Sequence, residues 1–276
     1  MAAVLQPASR DALAALTERL DAYVDGASAR EVTATADELF AVARFLDGER
    51  AIRRLLADAA SPEESRADLV RRLFGGQLSQ PTVDLVAELA RQRWSRPRDV
   101  ATAAESLARQ ATVAIAEKTG SLDEVEDQLF RFGRILAREP QLNGLLADTT
   151  KPVEGRIRLL DGILGDKVYP VTATLQREAV RLPRGRQLDA LAEELAELAA
   201  ARRDRSVAKV RTPVELTPDQ AAALENTLGR IYGRKISLQV ELDRDLLGGL
   251  VVQVGGEVID GSVAGRLAAA RRSLPS

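Results

Sequence analysis

Apolar residues recur three and four positions apart through most of the first two hundred residues. That spacing gathers them on one face of a helix. Leu188, Leu191, Leu195 and Leu198 show it most plainly, and such a stripe reads as bundle core rather than a cofactor box. Near Arg205 the period changes to two. Val207, Lys209 and Arg211 alternate with Ala208 and Val210, and Ile236, Leu238, Val240 and Leu242 alternate with Ser237, Gln239, Glu241 and Asp243. Alternation predicts strands, the second lying with its apolar side on a core. Between them Thr217-Pro218-Asp219-Gln220 predicts a helix start, with Thr as N-cap, Pro first and Gln three after the cap. That helix runs to about Tyr232, and Gly233 can stop it. Gly248-Gly249 permits a bulge or tight bend into a strand at Leu250 to Val254. Gly255-Gly256 suits a hairpin turn into a brief strand at Val258-Ile259. Asp260-Gly261-Ser262 turns into a closing helix with Ser262 as N-cap.

The helical part contains a duplication. Leu55 to Asp58 reads LLAD, and so does Leu145 to Asp148, 90 residues on. At that offset Leu39-Phe40 matches Leu129-Phe130, Pro62 matches Pro152, Gly75 matches Gly165, and Arg91 and Arg96 match Arg181 and Arg186. Between Asp37 and Arg96, 20 of 60 positions are identical without a gap. A period this long exceeds the roughly 20–50 residues of a solenoid repeat, so a whole domain is duplicated. Each copy predicts six short helices, one of them starting just after Pro62 or Pro152 and ending near Gly75 or Gly165. Val100 to Glu117 contains neither Gly nor Pro, so the sixth helix of the first copy is expected to run into the first helix of the second, a stiff joint rather than a loose linker. The expected fold is mainly α with a small α+β domain. Two tandem six-helix bundles occupy residues 1–103 and 104–205, and a sheet-plus-helices domain occupies 206–276.

Composition narrows the chemistry. The 276 residues are 45% hydrophobic and 3% aromatic, a profile of helical domains with Leu/Ala cores and not of disorder. There is no Cys and no His. This removes disulfides, thiol catalysis, the commonest general base and the commonest transition-metal ligand. Net charge is −2, so no global field draws in nucleic acid. The Arg202-Arg203-Asp204-Arg205 cluster reads as charge complementing a helix C-terminus. No apolar run reaches the about 18 residues that span a bilayer, and the N-terminus lacks the pattern of a secretory signal. The glycines at 248, 249, 255, 256, 261 and 265 fit neither the Walker nor the Rossmann spacing. Neighbouring acids such as Glu193-Glu194 and Asp243 with Asp245 read as solvated faces, and Trp94 as a core plug. No catalytic, cofactor-binding or metal-binding residue is expected.

Three blocks carry a family resemblance: Gly233-Arg234-Lys235; Leu247-Gly248-Gly249-Leu250-Val251-Val252; and Val258-Ile259-Asp260-Gly261-Ser262-Val263 with Gly265-Arg266-Leu267. In order and spacing they resemble the delta subunit of F-type ATP synthase, the bacterial counterpart of the oligomycin-sensitivity-conferring protein. The helices from about Ala104 to Arg205 resemble that family's six-helix N-terminal domain. The extra bundle ahead of them, with the Arg-rich composition, resembles the extended delta proteins of actinobacteria. The resemblance implies a non-catalytic stator subunit. Its bundle would take amphipathic N-terminal helices of the alpha subunits, and its C-terminal domain would hold the b-type stalk. It would sit peripherally at the cytoplasmic face of the bacterial plasma membrane. The matching blocks are mainly turns and core positions, so they imply structural roles and name no contact residue. A generic two-bundle adaptor and a His-free enzyme are the alternatives.

Overall fold

The computed structural model describes residues 5–205, 207–232, 236–244, 246–254 and 257–264. It divides into two compact units, Met1–Ala199 and Ala200–Ser276. Among the described residues there are twelve helices and four strands, the mainly-α chain with a small sheet that the periodicity predicts.

The first copy comprises α1 (Pro7–Gly26), α2 (Ala29–Gly48), α3 (Arg50–Leu56), α4 (Glu63–Phe74) and α5 (Gln80–Arg91). The second comprises α7 (Leu122–Arg138), α8 (Pro140–Ala147), α9 (Val153–Leu164), α10 (Pro170–Arg181) and α11 (Leu188–Arg205). Between them runs α6 (Pro97–Thr119), which is the sixth helix of one copy and the first of the next. It starts on a proline and stops at Gly120, whose φ of 70° is the left-handed C-terminal conformation. Its 23 residues give a rod about 34 Å long. Buried alanines at 101, 103, 104, 108, 111, 114 and 116 lie on several of its faces, and their short side chains let neighbouring helices approach closely.

Tertiary contacts repeat along with the sequence. Glu38 accepts hydrogen bonds from the Ser79 backbone N–H (3.0 Å) and from Thr82, holding the start of α5. Gln128, its counterpart, accepts from the Tyr169 N–H (2.9 Å) and from Thr172 (2.8 Å) at the start of α10. Arg66 is buried and donates to the carbonyls of Asp58, Ser61, Ala90, Arg91 and Gln92. Arg156 donates likewise to Leu146 and Val180. Asp58 and Asp148 each close the turn behind an LLAD, accepting from the backbone N–H two residues on at 3.0 Å. These bonds satisfy the open ends of helices that would otherwise be left without partners.

The copies also share a core. One buried cluster runs from Ala12 through α2 and α6 to Val171, Leu175 and Leu195, while a second, from Phe132 to Ala192, belongs to the second copy alone. Leu188, Leu191 and Leu195 are buried as the stripe predicts. Trp94 is buried too, its indole N–H donating to the Leu89 carbonyl at 2.9 Å.

The division between the units falls inside α11. In the second unit β1 (Val207–Thr212), α12 (Pro218–Tyr232) and β2 (Ser237–Leu242) form a parallel crossover. β3 (Val251–Val254) lies antiparallel on the other side of β1, and β4 (Glu257–Asp260) pairs antiparallel with β3, giving the order β2-β1-β3-β4. Thr217 and Gln220 form the reciprocal capping box read from the sequence, at 3.0 and 3.2 Å. Ala208, Val210, Leu228, Ile236, Val252 and Val254 are the core. One expectation needs correcting. Ile236 is buried, but Val240 and Leu242, expected on the core side of β2, are 42% and 49% exposed. β2 is an edge strand, and an alternating pattern does not say whether the face it lines is covered. The hairpin turn expected at Gly255-Gly256 falls outside the described residues.

Candidate interaction surfaces

The second unit brings two of the three sequence blocks together. Leu247-Gly248-Gly249 leads into β3, and Asp260-Gly261-Ser262 leaves β4. The Gly261 N–H donates to the Leu250 carbonyl (3.0 Å), and the Val263 N–H to the Gly248 carbonyl (2.9 Å). Gly249 sits at φ 81°, where a Cβ would overlap the Gly261 carbonyl and come within 2.9 Å of Ser262 Cα. Only glycine fits two backbones packed this closely. Ser262 is buried. The Asp260 carboxylate accepts from the Ser262 hydroxyl and from its N–H (2.9 Å), which holds the carboxyl below its ordinary pKa. These residues clamp one loop onto another. Gly233, Arg234, Lys235, Gly265 and Arg266 lie outside the described residues; the closing helix expected after Ser262 begins at Val263 and Ala264, and the rest of that expectation lies outside them too.

The clamp carries an apolar lip. Leu247 is 84% exposed, and Val263 beside it is exposed as well. Among the described residues both edge strands carry exposed apolar side chains: Val240 and Leu242 on β2, Val258 and Ile259 on β4. An edge strand with exposed apolar side chains is a place where another chain can pack. Periodicity alone could not find it, because alternation says which residues share a face and not whether that face is covered.

The first unit has its own exposed apolar residues. Phe130 is 53% exposed, although Phe40, its counterpart in the first copy, is 2% exposed. Leu159, Ile163 and Tyr169, on or just past α9, are also exposed.

A charged cluster ties the first copy to the second. Glu105 of α6 pairs with Arg109, with Arg184 at 3.1 Å and with Arg186 at 3.3 Å. Arg184 also lies 3.2 Å from Asp47 at the end of α2, and Arg186 lies 3.0 Å from Glu194 of α11. Arg44 of α2 pairs with Glu178 of α10 at 2.6 Å. Burial pushes the Arg109 pKa down, against the opposite effect of Glu105. Arg184 is held at φ 51°, unusual for a residue other than glycine. Nothing in the sequence around Arg184 marks it as half-buried. Among the described residues no group of three or more acidic, His or Cys side chains could hold a metal ion, and no helix is long and apolar enough to cross a membrane.

A family profile described as "ATP synthase delta (OSCP) subunit" matches residues 103–274. The chain is 46% identical over 269 residues to "ATP synthase subunit delta" of Streptomyces avermitilis, covering 98% of each. It is 44% identical over 277 residues to the protein of that name from Parafrankia sp., covering 98% of this chain and 99% of the other. It is 43% identical over 271 residues to "ATP synthase subunit b-delta" of Mycobacterium sp. (strain KMS), covering 98% of this chain and 61% of that longer one. The profile begins inside α6, so the first copy lies ahead of the family's common domain. The full-length likeness nonetheless takes in that copy, and the chain belongs to the ATP synthase delta (OSCP) subunit family.

Proposed function

We propose that this chain works as a peripheral-stalk subunit of an F-type ATP synthase, tethering the catalytic head to the b-type stalk so that rotor torque drives ATP synthesis. The observation that carries the reading is the end-to-end likeness to proteins called ATP synthase subunit delta. Its role is structural rather than catalytic. The helical unit, in two bundles divided near residue 103 within the continuous α6, would hold amphipathic N-terminal helices of the alpha subunits. The small domain from 206 onward would hold the b-type stalk through the Leu247–Val263 lip and the exposed apolar side chains of the edge strands. The "b-delta" relative supports the second assignment, since there one longer chain carries both names and the matching part is 61% of it. The complex would place the chain at the cytoplasmic face of the plasma membrane.

The test is reassembly. ATP synthase stripped of its own delta subunit is mixed with the full chain or with a chain ending at Arg205, and proton-driven ATP synthesis is measured. The full chain should restore synthesis. The shortened chain should still bind the head but fail to retain the stalk subunit. Retention of the stalk by the shortened chain overturns the assignment of the small domain.

A further inference from the structure

The two copies differ in where they place glycine. In the first, α1 to α5 hold no glycine ahead of a helix's last residue. In the second, α7 holds Gly133, α8 holds Gly144, and α9 holds Gly155 and Gly162. At the 90-residue offset their counterparts are Ala43, Arg54, Ser65 and Arg72. Gly133 has a packing reason, since a Cβ there would lie 3.3 Å from Ala192 Cβ. At the other three a Cβ meets nothing within 4 Å. Packing does not call for glycine at these positions, and each one weakens its helix relative to the residue in the twin.

Buried polar groups differ in the same direction. Arg66 of α4 donates its Nε–H to the Ala90 carbonyl at 2.7 Å, whereas the Nε of Arg156 on α9 is buried without a hydrogen-bond partner among the described residues. Gln176 of α10 is 1% exposed, and its amide nitrogen has no such partner either. Its counterpart is Val86, which is buried and apolar. A buried donor without an acceptor is destabilising, and a valine in the same place is not. Ion pairs do not reverse the difference. Arg91 reaches from α5 to Glu64 of α4 at 2.8 Å, and Arg177 reaches from α10 to Asp161 of α9 at 2.7 Å, both at the surface. What fastens α8 is Asn143, which donates to Asp189 at 2.9 Å and accepts from the Leu188 N–H at 3.1 Å, both on α11.

We infer that α8 and α9 form a compliant limb, opening together as one unit while the first bundle and α6 stay folded. The fold is the same in both copies, but α3 and α4 lack the glycines and the unpartnered donors, so they stay shut. The duplication thus gives the chain one stiff bundle and one that yields. In a tether under torque, such a limb deforms and recovers without loosening the shared helix. The opening belongs to the chain alone; only its use under torque rests on the stator reading.

The test is native-state hydrogen exchange of the full chain through a series of low urea concentrations. Amides of α9 should exchange at least about tenfold faster than those of α4. Those of α8 should share the urea dependence of α9, and it should be weaker than that of α6, because less surface is exposed when a limb opens than when the whole unit unfolds. The triple variant Gly144→Ala, Gly155→Ala, Gly162→Ala should slow exchange in α9 about 30-fold, about threefold for each glycine, and leave α4 unchanged. Asn143→Ala should speed α8 and α9 about tenfold. If that variant unfolds the bundle, the triple variant still reads the limb. Equal protection of α4 and α9, separate urea dependences for α8 and α9, or unchanged α9 exchange in the triple variant overturns the inference. Failure here leaves the stator reading standing, because no other subunit is present. Failure of the chain to rejoin a stripped ATP synthase removes the use under torque and leaves the opening intact.

Discussion

Gly249→Ala should loosen the small domain and leave the bundles alone. The substitution places a side chain at φ 81°, which costs about 1–2 kcal/mol. The new Cβ also overlaps the Gly261 carbonyl and sits 2.9 Å from Ser262 Cα. Both are backbone atoms that cannot rotate away, so overpacking adds about 1–3 kcal/mol. The sum, about 2–5 kcal/mol, compares with about 4–12 kcal/mol of total stability for a unit of this size. Native-state hydrogen exchange of the full chain reads the effect region by region. Amides of residues 207–212 and 251–254 should exchange about 30-fold faster or more, while those of α2 and α6 stay as they were. Gly162→Ala is the opposing control. Gly162 is helical, and a Cβ there meets nothing within 4 Å, so alanine should stabilise α9 by about 0.5–1 kcal/mol. Unchanged exchange of β1 and β3 in Gly249→Ala would refute the clamp.

Other outcomes follow from the same geometry. Glu105→Leu leaves Arg109, Arg184 and Arg186 facing one another and should destabilise the helical unit by about 3–5 kcal/mol, seen as an earlier urea midpoint by Trp94 fluorescence. Leu247→Asp should weaken stalk binding without moving the melting curve, since the side chain is 84% exposed; a large drop in melting temperature would mean that it packs internally. Asp58 and Asp148 both have lowered pKa values. Asp58 is held chiefly by the Ala60 N–H and Asp148 by the Thr150 hydroxyl. Their stabilising effect is complete above the ordinary value of 3.8 and is lost as pH falls through the lower folded values. Carboxyl NMR titration should place both midpoints below 3.8, and Asp148→Asn should flatten the acid limb of the stability curve.

The sequence announced most of what is local. The 90-residue offset located paired turns, and the structure adds that the paired positions make paired bonds, Glu38 with Gln128 and Arg66 with Arg156. The Thr217 box and the continuous α6 were also readable, because caps and breakers act within a few residues. What escaped depends on distant partners. Phe40 and Phe130 are the same residue in the same motif, yet one is buried and the other exposed. Val240 and Leu242 have an ideal alternation, but their strand is at an edge. The Arg184 cluster joins residues from four elements or loops, and no spacing rule links Asp47 to Arg184.

The shared α6 has a consequence for anyone trimming this gene. Removing the first copy cleanly at residue 103 would split that helix, stripping about two turns from the survivor. A deletion that spares the second copy must therefore stop before Pro97 and leave all of α6 in place, with its formerly covered alanines now facing water. The cheapest viable truncation is five helices, not six.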